Sequence, residues 1–209
     1  MNKLLKLASA GGLLTALVFS ASAGAAVVTS MTGTAVPLPG VNAQGPGPEV
    51  VTSTIDWGAS NPDALFGYTG GYGLASNGVW NGAPMVGTNG GNDSMSFMFS
   101  SAVKGFGGLL NYAPGYGQAR IAIYDASDVL LESFDLNIST PNATNGGAFY
   151  GFVRDTADIS RFTLSEAYIV GRDFVVQEAA SDVPEPASLA LLGLGLAGVA
   201  GARRKARRS

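Results

Sequence analysis

Ser94-Met95-Ser96-Phe97-Met98-Phe99-Ser100 decides the fold class. Met95, Phe97 and Phe99 fall on one side of an extended chain, while Ser94, Ser96 and Ser100 fall on the other, with Met98 as the exception. A two-residue period belongs to a strand with one buried face, because successive Cβ atoms of a strand point to opposite sides. Arg120 to Tyr124 repeats it with Ile121 and Ile123. Leu130, Phe134, Leu136 and Ile138 then alternate against Leu131, Ser133, Asp135 and Asn137, with Glu132 interrupting the apolar face. Between these two runs, Asp125-Ala126-Ser127-Asp128 has the composition and length to close a hairpin, since an Asp side chain can hold the backbone just beyond it.

Residues 49–56, 103–110, 148–154, 161–165 and 168–177 read as further strands. Short strands separated by Gly, Asn and Pro predict an all-β fold, an antiparallel β-sandwich of jelly-roll type. No helical period precedes the C-terminal tail. The Gly/Asn-rich interval 67–92 reads as a large surface loop or as one irregular strand, a loop length that is uncommon unless the segment has a task or is disordered.

The apolar content, 46% of 209 residues, is concentrated at the chain ends, which therefore have to be set apart from the core. Residues 1–25 have the parts of a secretory signal: Lys3 and Lys6, an apolar run over 13–19, then Ala21-Ser22-Ala23 and Ala23-Gly24-Ala25 as alternative sites for signal peptidase. The run is shorter than the ~20 residues of a membrane span, which favours cleavage over retention as an anchor. Residues 26–48, with Pro37, Pro39, Pro46 and Pro48, read as an irregular lead-in, and 49–182 as one β-sandwich domain.

The net charge of −3 conceals a segregation, because between residues 26 and 183 five cations face fourteen carboxylates, a balance of −9. Such a surface is poorly suited to neutralising phosphates, which argues against nucleic acid as a partner. Cysteine and histidine are both absent. Disulfides, thiolate and imidazole metal ligands, and the usual nucleophile–base pairs are excluded with them.

The tail 183–209 has three unlike parts. Val183-Pro184-Glu185-Pro186 is an extended segment, because proline cannot continue a helix backwards. Residues 187–202 are apolar and, as a transmembrane helix of roughly 24 Å, fall short of the ~30 Å hydrocarbon core. Gly193, Gly195, Gly198 and Gly201 suit close packing against another membrane helix, and Arg203, Arg204, Lys205, Arg207 and Arg208 form a basic cytoplasmic stop.

In that order the three parts resemble the PEP-CTERM sorting signal of bacterial exported proteins. The resemblance implies recognition by an exosortase, a membrane-embedded enzyme that cuts near Pro184-Glu185-Pro186 and passes the body to the cell envelope, surface or matrix. The same tail occurs on some proteins labelled ice-binding, but the body shows no regular Thr array. An ordinary single-pass anchor is the alternative.

For the body, Tyr68, Tyr72, Trp80, Tyr112 and Tyr116 are candidates for stacking on sugar rings, or else they plug the ends of the sandwich. Asp125, Asp128 and Asp173 offer hard oxygen ligands for structural calcium, against turn capping as the simpler role. No other cofactor is implied. The expected function is that of a non-enzymatic envelope or matrix protein, with a carbohydrate-binding module acting on exopolysaccharide as the alternative. A carboxylate-dependent glycoside hydrolase ranks behind both, because it needs two acids at a fixed separation.

Overall fold

The computed structural model describes Gly24 and residues 26–179, so the signal and the tail lie outside the described residues. The strands are β1 (Ala26–Val28), β2 (Thr34–Val36), β3 (Ala43–Gln44), β4 (Glu49–Thr52), β5 (Ile55–Ala59), β6 (Leu65–Tyr68), β7 (Tyr72–Gly73), β8 (Val79–Trp80), β9 (Met85–Gly87), β10 (Ser94–Val103), β11 (Gly105–Asn111), β12 (Arg120–Tyr124), β13 (Leu130–Asp135), β14 (Ala148–Val153), β15 (Ile159–Ser165) and β16 (Val170–Gln177). One 3-10 turn, Ala75–Asn77, sits between β7 and β8. Among the described residues no helix is long and apolar enough to cross a membrane.

Two antiparallel sheets face each other. One has eight strands in the order β1-β14-β11-β16-β9-β6-β3, with β2 also paired to β16; the other has six, β13-β12-β15-β10-β5-β4. Strand β10 behaves as its alternation requires: Met95, Phe97 and Phe99 are buried, and Met98 is half-buried on the outer side. Between the sheets Phe106 of β11 meets Phe97, Phe99 and Phe162 of the six-stranded sheet, with ring centroids 5.0, 5.1 and 5.2 Å away. Phe174 of β16 stacks on Phe106 at 5.4 Å. Burial of each such ring stabilises the fold by about 1.5–3 kcal/mol, and tilted ring contacts add to that.

The β12–β13 hairpin forms at the expected turn. The Asp125 carboxylate accepts from the N–H of Ser127 at 2.8 Å and of Val129 at 2.9 Å. A bulge shifts the register at the start of β13, because Ile123 pairs with Glu132 but Tyr124 with Leu130, leaving Leu131 over. Leu130 is thereby moved off the apolar face and is 52% exposed, while Phe134 stays opposite Ile121 and rests against Tyr150 at 5.7 Å.

Three other expectations are corrected. The run 49–56 is not one strand but most of the β4–β5 hairpin, folded back at Thr52 to Thr54. The lead-in 26–48 is not wholly irregular, since β1, β2 and β3 each join the eight-stranded sheet. The interval 67–92 is neither a loose loop nor one strand. It contains β7, the 3-10 turn, β8 and β9, and it carries a second apolar cluster of Tyr72, Leu74, Trp80, Met85 and Val170.

Candidate functional site

The register of the six-stranded sheet sets out its outer face row by row. Gly58, Ser96, Thr163, Ala122 and Ser133 are cross-strand partners in one row running from β5 to β13. Beside it runs Asp56, Met98, Arg161, Tyr124 and Leu130, and on the other side Ser94, Ser165, Arg120 and Asp135. The small side chains of the middle row lie between Met98, Arg161, Tyr124 and Leu130 on one side and Arg120 and Asp135 on the other, a furrow across the strands that is open at Ser94 and Ser165. At the β5 end, where Pro46 and Pro48 form its rim, the furrow encloses about 530 Å³. Five strands at about 4.8 Å spacing give the row a length of roughly 19 Å.

The floor is hydroxylated and braced. Ser96 and Thr163 hydrogen-bond to each other at 2.9 Å across β10 and β15. Arg161 lies over the Tyr124 ring, 4.0 Å from its centroid, and pairs with Asp128 at 3.0 Å. Its Nε is buried and has no hydrogen-bond partner among the described residues. Arg120 donates from Nε to Asp135 at 2.6 Å, and this hydrogen bond, with the charge of Asp135, pushes its guanidinium still higher than usual. Both cations of the furrow are therefore already matched by carboxylates.

Part of the outer face of the eight-stranded sheet is covered instead, at β6, β9 and the adjoining ends of β11 and β16. The insertion 70–82 folds over Leu65, Tyr68, Leu109 and Val170 and contributes Tyr72, Leu74 and Trp80 to the second cluster. Asn77 fastens it: its Nδ2 donates to Asn111 Oδ1 at 2.9 Å and to the carbonyls of Ile138 and Tyr112 at 3.0 and 3.1 Å. The Trp80 indole donates to the carbonyl of Gly146, and Arg172 lies over the ring at 4.8 Å. Tyr72 donates to the carbonyl of Thr88, and burial, with smaller contributions from Tyr168 and Asp93, pushes its phenol well above the usual range.

The sequence candidates thus scatter. Tyr72, Trp80 and Tyr112 are buried, with 8%, 0% and 9% of their surface exposed, and serve as packing rather than as open platforms. Tyr68 is half-buried against the same cluster, and Tyr116 alone stands clear at 55% exposure. Asp125 and Asp128 belong to the β12–β13 turn, whereas Asp173 is on β16 of the other sheet beside Arg172. They do not share a site, and among the described residues no group of three or more acidic side chains is placed to hold a metal ion. The furrow residues Ser96, Tyr124, Arg161 and Thr163 do not stand out in the sequence. Their one signal there is the polar half of each alternation, Ser94 with Ser96 and Arg161-Thr163-Ser165.

At the C-terminal side the chain leaves β16 at Gln177, and the sequence there proceeds within a few residues to Pro184-Glu185-Pro186. Residues 182–205 match the PEP-CTERM protein-sorting motif. The chain carries that sorting signal. The PEP-CTERM motif indicates an exported protein handled by exosortase. No curated protein matches the chain.

Among solved structures, two mutants of CBM29-2, from family 29 of the carbohydrate binding modules, are similar to the chain. They are 13% and 12% identical, cover 74% and 78% of this chain and 99% and 98% of their own, and have TM-scores of 0.38 and 0.37. The lectin domain of lectinolysin, complexed with Lewis B antigen, is 13% identical over 46% of this chain and 72% of its own, with a TM-score of 0.32. At these TM-scores the likeness says nothing about what the chain binds.

Proposed function

We propose that the chain is a non-enzymatic surface protein, anchored and cut through its tail, whose body holds an extended polysaccharide in the furrow of the six-stranded sheet. The observation that carries this reading is the outer face that no insertion covers: part of one sheet lies under an insertion, while the other presents a row of small residues with hydroxyls at Ser96, Thr163 and Ser133. Hydroxyls, two held guanidinium groups and one tyrosine ring suit a polymer of hydroxylated rings. A peptide groove would need apolar pockets for anchoring side chains, and the middle row contains no large apolar residue.

One feature weighs against hydrolysis. Of the carboxylates beside the furrow, Asp128 and Asp135 are held in ion pairs at 3.0 and 2.6 Å. Sorting would proceed through Pro184-Glu185-Pro186, with the apolar segment held in the membrane until the cut, after which the body passes to the cell surface or matrix.

The test of the body is affinity electrophoresis of the full chain through gels containing host exopolysaccharide. Ser96→Trp fills the floor, so migration should be retarded for the native chain and not for the variant, with equal melting temperatures. Equal retardation of both would overturn the furrow assignment. Intact mass of the exported protein tests the sorting: an end near residue 186 only when exosortase is active supports it, and a tail complete to Ser209 in both hosts rejects it.

A further inference from the structure

The two chain ends of the body share one end of the sandwich. Ala26 pairs with Val153, Val153 with Gly105, and Gly105 with Gln177, so the entry of β1 and the exit of β16 lie in a single cross-strand row. The opposite end is where Asn111 meets Val170 and where Arg120 and Ser94 meet Ser165. Attachment through either chain end leaves that far end free.

Tyr116 stands there. It is 55% exposed and flanked by Gly115 and Gly117, whose φ values of 92° and 112° suit glycine and carry the ring out at the tip of the β11–β12 loop. Tyr168 fixes the ring by an edge contact, with centroids 5.1 Å apart and planes at 82°.

Tyr168 in turn belongs to a run of three non-glycine residues in the left-handed region, Glu166, Ala167 and Tyr168, with φ of 65°, 54° and 51°. That conformation is unfavourable at each residue and persists only when the surroundings impose it. The surroundings do so: Glu166 and Ala167 donate to the carbonyls of Asp93 and Gly91 at 2.8 and 2.9 Å, and Ala113 donates to Ala167 at 2.9 Å. Three loops are thus tied together behind one exposed ring. One carboxylate lies beside it: Glu166, whose Oε2 is 3.5 Å from where a Cβ would stand at Gly117 and which makes no ion pair among the described residues.

We infer that Tyr116, backed by Tyr168, is the platform of a second binding site, one that takes one or two rings of a glycan. The flat face of a tyrosine covers the C–H face of a pyranose, and the carboxylate of Glu166 beside it accepts from the equatorial hydroxyls. A single ring contacts one or two sugar units where the furrow spans several, so this site differs from the furrow in the length of glycan it engages. It does not depend on the furrow reading.

The experiment is saturation-transfer NMR on the full chain with cellobiose, maltose, lactose and α-1,2-mannobiose as probes. At least one of them should show transfer that Tyr116→Ala reduces at least tenfold, with an unchanged melting temperature, and that Tyr116→Phe retains within about threefold. Ser96→Trp should leave this signal intact even where it abolishes polysaccharide binding. Absence of transfer from all four probes, or transfer undiminished in Tyr116→Ala, would overturn the second site without touching the first.

Discussion

The outer faces of the two sheets have opposite fates. On the eight-stranded sheet Leu65, Tyr68, Leu109 and Val170 are apolar, and an insertion supplies Tyr72, Leu74 and Trp80 to bury them. On the six-stranded sheet the corresponding positions are Gly58, Ser96, Thr163, Ala122 and Ser133, which need no cover. A sandwich requires only its inner faces to be apolar. Burying one outer face as well adds stability there and leaves the other as the open working surface. Substitutions should therefore unfold the protein on one face and alter binding without unfolding it on the other.

The largest effect is expected at Trp80, which is fully buried and joins the insertion to Gly146 and Arg172. Trp80→Ala should cost about 3–5 kcal/mol, the range for deleting a large buried aromatic. Thermal or urea unfolding of the full chain measures it. A loss under about 1 kcal/mol would mean that the insertion is not part of the cooperative fold, and the contrast between the faces would fail.

Little of this contrast is legible in the sequence. The alternation of Met95, Phe97 and Phe99 and the turn at Asp125 are, because both are set by neighbours a few residues apart. The β4–β5 turn escapes a sequence reading because Thr52, Ser53 and Thr54 contain neither Gly nor Pro to mark it. Strands β7 and β8 have only two residues each, too few for a period, and they exist because Asn77 and Trp80 bond to groups more than 30 residues away.

The furrow is hidden for a related reason. Ser96 and Thr163 are 67 positions apart and become a floor only when β10 and β15 pair in register. The aromatic candidates mislead because ring chemistry is visible in a sequence and burial is not. Trp80 and Tyr112 look like platforms until their neighbours are in place. The sorting motif at 182–205 is legible, since its order of parts is itself linear.

A second test uses pH. The Tyr72 phenol is pushed up chiefly by burial, so the folded state resists its ionisation while the unfolded chain ionises at about pH 10. Its neutral form is accommodated fully below that pH, and stability should fall as pH rises past it, because the unfolded state then sheds a proton the folded state keeps. Tyr72→Phe should cost about 1 kcal/mol at neutral pH through the lost hydrogen bond to Thr88. It should also flatten the alkaline decline, so that the two stability curves converge above about pH 10. Parallel curves would show that the covered face is open to solvent around Tyr72.

The smallest effect is expected at Arg120, and it is read against Arg172 of the other face. Arg172 is 13% exposed at its side chain and lies on Trp80, so Arg172→Ala removes packing and a cation–ring contact together, at about 1–2 kcal/mol. Arg120 is 46% exposed and its partner Asp135 51%, so the pair at 2.6 Å is screened by water and Arg120→Ala should cost no more than about 1 kcal/mol. Salt separates the two mechanisms further. The Arg120 increment should shrink between low and about 0.5 M salt, whereas the Arg172 increment, being mostly contact with a ring, should hold. If both shrank alike, Arg172 would act mainly through Asp173 at 3.4 Å rather than through Trp80, and the covered face would owe less to its aromatic lid than the geometry implies.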